Sequence, residues 1–476
     1  MAPRLASLAI GLAIAATAHA ESRPHYGGTV DASLLGTPLA LDPVLARTHA
    51  EITVVDLVFD TLYRVGTDGI VQPRLALALP VLDAARTTAV IALKRGVRFH
   101  DGSELTAADV VASFERARAG TARWIVAPMI GLRAQGDALV IALRAPVGDL
   151  ATLLALPQLA ITKGGTVGTG PFVVETRAKG RLALRAFDDY FAGRPYLDQL
   201  VLHWYDTPDG EARQFETGAA QLSARGVAAF AGAQPKFRAD DVEGPAALLV
   251  YAGWGRAHEA ITKDARFRHA LDLALARGAL TTIGAGERIV PTRLPWPVEA
   301  GAPVLDAAGK AGDVEAAKKA LGGLAVAAKL EILVEITRPD DREIAERVAR
   351  ALDNLGVGAA ITALPAEALH ERVANGACDL YIDQLAEPVT DVLAWWGGAF
   401  AAGGDDYVAA KLGAGALDLA ATGKAFADRL PILPLMFRAV RIWHRTDVRG
   451  LGFDASGRPD LAALFLHGAP LPSRKP

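Results

Sequence analysis

The chain has 476 residues, of which 51% are hydrophobic and 22% charged, and its formal net charge is −3. A chain of this length and composition can bury the cores of two or three domains. The near-neutral charge, without a basic block or an acidic tail, argues against nucleic acid or an anionic membrane as the main partner. Cys378 is the single cysteine, so no internal disulfide forms, and we expect it to be a small core residue.

The start of the chain has the pattern of a secretory signal peptide, residues 1–20. Arg4 supplies the positive head, residues 5–16 form an apolar run, and residues 18–20 read AHA, an A-x-A cleavage pattern. The apolar run is too short to span a bilayer, which needs about 20 residues. No cysteine follows it, so we expect a mature protein without a lipid anchor, located in the periplasm of a cell with two membranes.

Residues 41–64, LDPVLARTHAEITVVDLVFDTLYR, predict a turn followed by a helix. Pro43 restricts the backbone at the turn. Apolar residues then recur at helical spacing, at Ile52, Val55, Phe59 and Leu62.

Residues 87–116, TTAVIALKRGVRFHDGSELTAADVVASFER, predict a strand, a tight turn and a second helix. The run from Val90 to Leu93 is strand-like, and Gly96 and the Asp101-Gly102 pair supply turn chemistry. Thr106 and Asp109 have the spacing of a capping box, which marks the start of a helix with one apolar stripe. His100 adjoins the Asp-Gly pair, and we expect it to be a solvated loop residue.

Residues 168–172 read GTGPF, and residues 188–195 read DDYFAGRP. A lone G-x-G is weak evidence for phosphate binding. Pro171 follows it at once, so no helix N-terminus is presented to an anion. We therefore expect a turn and a hairpin, with Tyr190 and Phe191 in the core.

The second half of the chain contains a regular alternation of strands and helices. Strand, helix, strand, helix and strand patterns follow one another at residues 330–336, 339–355, 359–362, 367–373 and 378–382. Gly356 ends the longer helix. This order implies a parallel sheet with right-handed crossovers. Because ligands of such sheets bind beyond the carboxyl ends of the strands, Asp383 lies at the expected position for a ligand contact.

Five segments resemble, in the same order, motifs of the family 5 extracellular solute-binding proteins, the peptide- and nickel-binding partners of ABC importers. The five segments are residues 41–64, 87–116, 168–195, the helix pattern from 261 and the proline-punctuated strands from 429. The resemblance implies an α/β fold of the two-lobed periplasmic binding protein class, type II and cluster C-like. It also implies mixed sheets and an extra subdomain in the first lobe.

The resemblance also implies how the domains are arranged and what they do. The expected limits are residues 21–45, 168–243 and 438–476 for the core of lobe I, 46–167 for its extra subdomain and 244–437 for lobe II. Two segments near 243–254 and 430–442 are expected to form a hinge. The implied function is capture of a small solute, an oligopeptide or a peptide-like molecule, and delivery to an ABC permease in the inner membrane. A monomer without a cofactor is expected.

Residues 379–400 hold the expected ligand site. Many relatives read A-D-Y-x-[DE]-P here, and in peptide binders the Asp pairs with the α-ammonium of the peptide. Asp383 is the candidate in this chain, with Pro388 as the motif proline. The pattern departs from the family because Gln384 replaces the tyrosine and one extra residue precedes the Glu-Pro pair. Two other carboxylates therefore remain alternatives, Glu387 and Asp391, and a ligand without an amine also remains open.

The strand around residues 379–382 is expected to offer its backbone as an edge for an extended ligand. We therefore include Asp379 and Tyr381 among the candidate ligand-binding residues. Tryptophan is enriched in the walls of ligand sites. Ligand contact and core packing are equally compatible with the sequence at Trp254, Trp395 and Trp396. Core packing is the expectation at the other positions considered, Trp124, Trp204 and Trp443.

The sequence gives no positive support for an enzyme or a metal site. It has no G-x-S-x-G nucleophile motif. His258 and His269 are too far apart in sequence for a zinc pair. A secreted hydrolase with a two-lobed cleft is therefore disfavoured. The stronger alternative is a periplasmic sensory or carrier protein that serves no importer and binds a lipid-like, sugar or metallophore ligand.

Overall fold

The structure is a computed structural model. It describes residues 24–467 except 121, 225–234, 237–238, 284–286, 325, 327 and 388–390. The predicted signal peptide and the motif proline Pro388 therefore lie outside the described residues.

The described chain contains 21 named strands and 14 α-helices. The strands are β1 (Thr29–Ser33), β2 (Tyr63–Val65), β3 (Val71–Pro73), β4 (Val81–Leu82), β5 (Thr88–Ala92), β6 (Met129–Gln135), β7 (Ala138–Leu143), β8 (Phe172–Ala178), β9 (Arg181–Ala186), β10 (Gln199–His203), β11 (Leu222–Ser223), β12 (Ala239–Glu243), β13 (Leu248–Trp254), β14 (Ile289–Pro291), β15 (Leu330–Glu335), β16 (Ala359–Leu364), β17 (Leu380–Ala386), β18 (Leu433–Arg438), β19 (Arg441–Arg445), β20 (Val448–Arg449) and β21 (Phe465–Leu466). The helices are α1 (His49–Val58), α2 (Ala107–Ala119), α3 (Arg123–Val126), α4 (Leu150–Leu153), α5 (Pro208–Thr217), α6 (Glu259–Thr262), α7 (Ala265–Ala274), α8 (Ala307–Ala311), α9 (Val314–Leu321), α10 (Pro339–Asn354), α11 (Ala366–Ala374), α12 (Val392–Ala402), α13 (Tyr407–Gly413) and α14 (Leu419–Arg429).

A seven-stranded mixed sheet forms the centre of the first lobe. Its strand order is β12-β19-β11-β1-β10-β9-β8. β1 runs parallel to β10 and β11, whereas the other pairings are antiparallel. The helix α1 begins with a capping box between Thr48 and Glu51 and buries its apolar side chains in the core of this sheet. The predicted limits of the domains stay a prediction.

A six-stranded sheet forms the centre of the second lobe, in the order β14-β18-β13-β17-β15-β16. β15 runs parallel to both β16 and β17, which confirms the parallel arrangement predicted from the β-α-β-α-β order. The helix α10 begins at Pro339, and Gly356 follows its end with a φ of 78°, a conformation that glycine adopts readily.

The third strand of that alternation is longer than predicted. β13 pairs with β17 along its whole length, from Leu248 opposite Ala386 to Trp254 opposite Leu380. This antiparallel partner extends β17 past the point where its parallel neighbour ends. Asp383 therefore lies within the strand and not beyond its carboxyl end.

The extra subdomain contains a four-stranded antiparallel sheet, β4-β5-β7-β6, covered by α2. The capping box between Thr106 and Asp109 is present, as predicted. The expectation that His100 is solvated is wrong. Its Nε2 atom lies 2.9 Å from the carbonyl oxygen of Gly170, and its ring meets Phe187 edge-on at 5.0 Å. The sequence could not show this because these contacts come from a segment about 70 residues further along the chain.

The GTGPF segment joins the subdomain to the first lobe. A Cβ atom at Gly168 or Gly170 would collide with the backbone of Val58 at the end of α1, so the close approach requires glycine. Thr169 donates to the buried carboxylate of Asp60 at 3.0 Å. The same carboxylate also bonds two further side chains, Arg74 and Tyr190. The segment therefore has a structural role.

Two neighbouring stretches carry the chain between the two large sheets. Residues 244–247 lead from β12 to β13, and residues 439–440 lead back from β18 to β19. The amide of Gly244 donates to the carbonyl of Val440 at 2.9 Å. Among the helices that the structure describes, none has the length and apolar character needed to cross a membrane.

Candidate ligand cleft

The loop that precedes α1 and the strand β17 face each other where the two lobes meet. α1 contacts β17 directly. Charged side chains from both lobes lie within electrostatic range of one another at this contact. We therefore examine this region as the candidate ligand cleft.

Asp383 lies at the centre of β17, opposite Tyr251 of β13. Its carboxylate accepts hydrogen bonds from the Tyr251 hydroxyl at 3.3 Å and from Arg338 Nη1 at 3.2 Å. The side chain remains 25% exposed. Asp383 is thus held in place by its own lobe while part of its carboxylate is still accessible to a ligand.

Arg338 is shared among several carboxylates. Besides Asp383, it forms ion pairs with Glu335 at 3.1 Å and with Asp341 at 2.9 Å. Burial raises the pKa of Asp341 to about 7. Because three carboxyl groups share one guanidinium, the cluster is net negative when all of them are ionised. A further cation near Asp383 would therefore be attracted to this cluster.

Glu387 follows β17 and is almost completely buried, with 3% of the residue exposed. Its carboxyl group packs against Gly398 of α12, and its Oε2 atom has no hydrogen-bond partner in the described part of the chain. Burial raises the pKa of Glu387 to about 8, opposed by the positive charge of Arg47. A buried acid with unused hydrogen-bonding capacity normally has a reason, and a ligand is one such reason.

Arg47 is a site residue that the sequence did not reveal. The carboxylate of Glu51 accepts from its backbone amide at 3.0 Å, which fixes the loop before α1. Burial opposes the charge of Arg47, but the nearby Tyr251, Asp383 and Tyr381 hold its pKa above the ordinary value. Only its place in the tertiary structure identifies it, because an arginine after an L-D-P turn has no distinctive sequence pattern.

Two tyrosines, Tyr251 and Tyr381, pack against each other near the charged groups of Arg47 and Asp383. The rings of Tyr251 and Tyr381 meet edge-on with centroids 6.3 Å apart, and both residues are buried. The Tyr381 ring lies over Gly253, where a Cβ atom would collide with it. Burial raises the pKa of Tyr381 to about 12, so its hydroxyl stays protonated at neutral pH.

The three candidate tryptophans have different surroundings. Trp395 is buried edge-on against Phe437 at 5.3 Å, and its Nε1 atom has no hydrogen-bond partner among the described residues. Trp396 packs against Trp296 with centroids 4.5 Å apart and belongs to the core. Trp254 donates from Nε1 to the carbonyl of Leu430 at 2.7 Å in the helix-covered core of lobe II. Trp395 thus keeps an unused donor in a buried position.

Asp379 is occupied by contacts within lobe II. Its carboxylate accepts from the backbone amides of Glu331 at 2.8 Å and His258 at 2.9 Å, and it contacts His258 Nδ1 at 2.8 Å. It joins β15 to the loop after β13. The structure therefore gives Asp379 a local structural role and does not bring it to Arg47.

The backbone of β17 is partly free on one side. Its parallel neighbour β15 pairs at Leu380 and Tyr381, and no described strand continues this pairing along residues 382–386. Arg338 Nη2 approaches the carbonyl of Ile382 at 3.4 Å. The free edge therefore begins at Ile382 and overlaps the segment 379–382 predicted from the sequence only at its last residue.

Asp391 caps α12 by accepting from the amide of Leu393 at 2.7 Å. Burial raises its pKa. This cap gives the carboxylate a structural partner, unlike Glu387. No group of three or more metal-binding side chains occurs within the described ranges.

The fold and the cleft define a two-lobed solute-binding protein. The family model described as "Bacterial extracellular solute-binding proteins, family 5 Middle" matches residues 71–405. The chain therefore belongs to family 5 of the bacterial extracellular solute-binding proteins, as the sequence motifs predicted. The family consists of binding proteins and not enzymes, which agrees with the absence of catalytic motifs from the sequence.

Sequence relatives include a peptide-binding and a nickel-binding protein. The oligopeptide-binding protein AppA of Bacillus subtilis is 25% identical over 288 residues, which cover 55% of this chain and 52% of AppA. The nickel-binding protein NikA of Staphylococcus aureus is 28% identical over 142 residues, 28% of this chain and 29% of NikA. The matches thus span about half of the first relative and less of the second.

Solved structures show the same fold over nearly the whole chain. B. subtilis AppA in complex with a nonapeptide has a TM-score of 0.77 at 18% identity, covering 93% of this chain and 100% of AppA. S. aureus NikA in complex with Ni(L-His)2 has a TM-score of 0.76 at 17% identity, covering 92% and 100%. These similarities confirm the predicted α/β, cluster C fold with mixed sheets.

Proposed function

We propose that the protein is the substrate-binding component of an ABC importer and captures an oligopeptide or a peptide-like solute between its lobes. The observation that carries the proposal is the buried carboxyl group of Glu387, which keeps an unpartnered oxygen. An ammonium group of the solute would satisfy this carboxylate, while Asp383, earlier on the same strand, stays partly exposed to the solute. Membership of a family with peptide-binding and nickel-binding relatives supports this class of solute.

The free edge of β17 supplies the second part of the proposed site. An extended solute would pair its main chain with residues 382–386, which gives affinity without strong side-chain selection. Tyr251 and Tyr381 would cover its apolar surface. In the peptide binders that the sequence motifs resemble, an acidic side chain pairs with the α-ammonium of the peptide, and we assign this contact to Glu387.

Release to a permease would follow from hinge motion. Residues 244–247 and 439–440 connect the two large sheets, and a change in backbone angles there would move one lobe against the other. A solute that contacts both lobes favours the closed arrangement. The proposed partner is an inner-membrane permease that distinguishes closed from open protein.

Native mass spectrometry of the mature, untagged protein purified from its own periplasm tests the solute class. A peptide released from the protein supports the proposal. A lipid, sugar or metallophore would overturn the peptide assignment and favour the sensory or carrier alternative. Genes for a permease and an ATPase beside the gene for this chain would support transport.

Calorimetry tests the ammonium contact. Any identified peptide is titrated into wild-type protein, the Glu387→Gln variant and the control Glu367→Gln, which changes an exposed carboxylate on α11. Because Glu387 is largely protonated at pH 7, binding of an ammonium should release close to one proton, seen as a dependence of the heat on buffer. We expect Glu387→Gln to abolish the release and weaken binding about 10- to 100-fold. Unchanged affinity and unchanged proton release would contradict the assignment.

A further inference from the structure

Arg47 differs from the other charged residues of the cleft. Asp383 has Arg338 and Tyr251 as partners, and Arg338 is surrounded by three carboxylates. The guanidinium of Arg47 forms no hydrogen bond or ion pair with any residue that the structure describes, although the residue is partly buried. Its donors are therefore available to a ligand.

Arg47 does not serve as an ion-pair link between the two lobes. If Arg47 served to hold the lobes together, it would form an ion pair with an acidic side chain across the contact, such as Asp383. That carboxylate is already bonded to Arg338 at 3.2 Å, and Arg47 makes no such pair. A guanidinium presents a rigid set of donors that matches a carboxylate in a bidentate manner. An anionic group of the solute is the partner that fits it.

The other open groups in the cleft have the opposite character. Glu387 keeps an unpartnered Oε2 and is buried, and Asp383 is partly exposed. These acids suit a cation, whereas Arg47 suits an anion. A solute that satisfies the whole cleft therefore carries both charges.

We propose that Arg47 binds a carboxylate of the solute, so that the solute is a zwitterion, an amino-acid derivative or a peptide. Its ammonium group lies at Glu387. This inference rests on the proposed capture of an amino-bearing solute in the cleft. It narrows that function by adding an obligatory anionic group.

Small molecules extracted from the source bacterium test the inference. The extract is split into three portions. One portion is left untreated, the carboxylates of the second are methyl-esterified, and the amines of the third are acetylated. Each portion is offered to wild-type protein, Arg47→Met, Arg47→Lys and the control Arg350→Met, which changes an exposed arginine on α10. Native mass spectrometry and the shift in Tm report binding, and the captured molecule is identified and titrated.

We expect wild-type protein to bind from the untreated portion and to lose at least 10-fold in affinity for the esterified solute. Arg47→Met should lose at least 10-fold for the free acid and bind acid and ester alike, with Arg47→Lys between them and Arg350→Met unchanged. Equal binding of acid and ester by the wild type would overturn the inference, even if the captured solute is a peptide.

The two proposals fail in different ways. A non-peptide solute that needs its carboxylate and Arg47 would remove the peptide assignment and support the anion contact. A peptide that binds equally well as its ester would support the importer function and remove the anion contact. The Tm of each variant without solute shows whether that variant is folded. If Arg47→Met does not fold, the comparison of acid and ester binding by the wild type still tests the anion contact.

Discussion

Trp124 of the extra subdomain packs directly against Gly397 of α12 in lobe II, so that a Cβ atom at Gly397 would collide with the indole ring. Trp124 is buried, and the neighbouring Arg123 forms an ion pair with Asp406 at 3.3 Å. The extra subdomain therefore contacts the second lobe directly. The contact between Trp124 and α12 therefore requires glycine at position 397.

Replacing Gly397 by alanine should weaken the contact between the subdomain and lobe II. The added methyl group meets an aromatic ring, and overpacking of this kind costs about 1–3 kcal/mol. Small-angle X-ray scattering should show a larger radius of gyration for Gly397→Ala than for the wild type. Gly452→Ala, where a Cβ atom meets nothing, is the control. In the background of Trp124→Ala the same substitution should have no effect, and a persistent effect there would contradict the proposed collision.

The Asp60 network should be far more sensitive than an ion pair on the surface. Arg74 lies 2.5 Å from Asp60, whose side chain is fully buried. Arg74→Met leaves that carboxylate without a cation, and breaking a buried pair in this way costs about 3–5 kcal/mol. Arg95→Met removes an exposed pair with Asp137 and should leave the denaturant midpoint unchanged. Similar losses in the two variants would show that the Asp60 carboxylate is not buried in solution.

Glu387 should make the protein less stable as pH rises. Its pKa is raised by burial from 4.5 to about 8 in the folded protein, so the folded state retains a proton that the unfolded state loses. The free energy of unfolding therefore falls between about pH 4.5 and pH 8 and is level above that range. Glu387→Gln should match the wild type near pH 5 and exceed it at pH 8 by up to a few kcal/mol.

Denaturant unfolding at several pH values measures this difference. His49 and Asp341 also have shifted pKa values, about 4 and about 7, but both residues are common to the two proteins. The difference between the two curves therefore isolates Glu387. A difference that does not change with pH would show that Glu387 is not a buried, protonated acid.

Cys378 should be unreactive in the folded protein. The residue is buried, and burial raises the pKa of its thiol to about 11, so little thiolate forms at pH 8. A thiol reagent such as Ellman's reagent should react with it only after denaturation. Rapid reaction of the native protein at one equivalent would contradict this placement.

Local patterns predicted much of the fold. The helical stripe and the Thr106–Asp109 capping box identified α2, and strand alternation around α10 identified the parallel part of the second sheet. These features depend on residues that are close in sequence, and they could therefore be predicted from it. The extent of β17 could not be predicted, since its length is set by pairing with β13, more than a hundred residues earlier.

The candidate site was predicted only in part. The motif around Asp383 lies on β17, the strand that forms one side of the candidate cleft, and Glu387 was among the alternatives; the assignment of ligand contacts to them stays a prediction. Arg47 was missed because its importance comes from being placed opposite Asp383 by the packing of α1 on β17. Trp254 and Trp396 were candidates for ligand contact, but both pack against core residues. A tryptophan near a motif has the same sequence pattern whether it faces a ligand or packs in a core.

The paired stretches at 244–247 and 439–440 constrain how the lobes can move. They lie side by side and are joined by the bond from Gly244 to Val440, and each continues at both ends into a strand of a large sheet. Such a two-stranded ribbon resists sliding and separation more than it resists bending and twisting. Opening is then confined to bending and twisting about this ribbon, and two pairs of fluorescent probes, each with one probe on either lobe, are sufficient to separate the two motions.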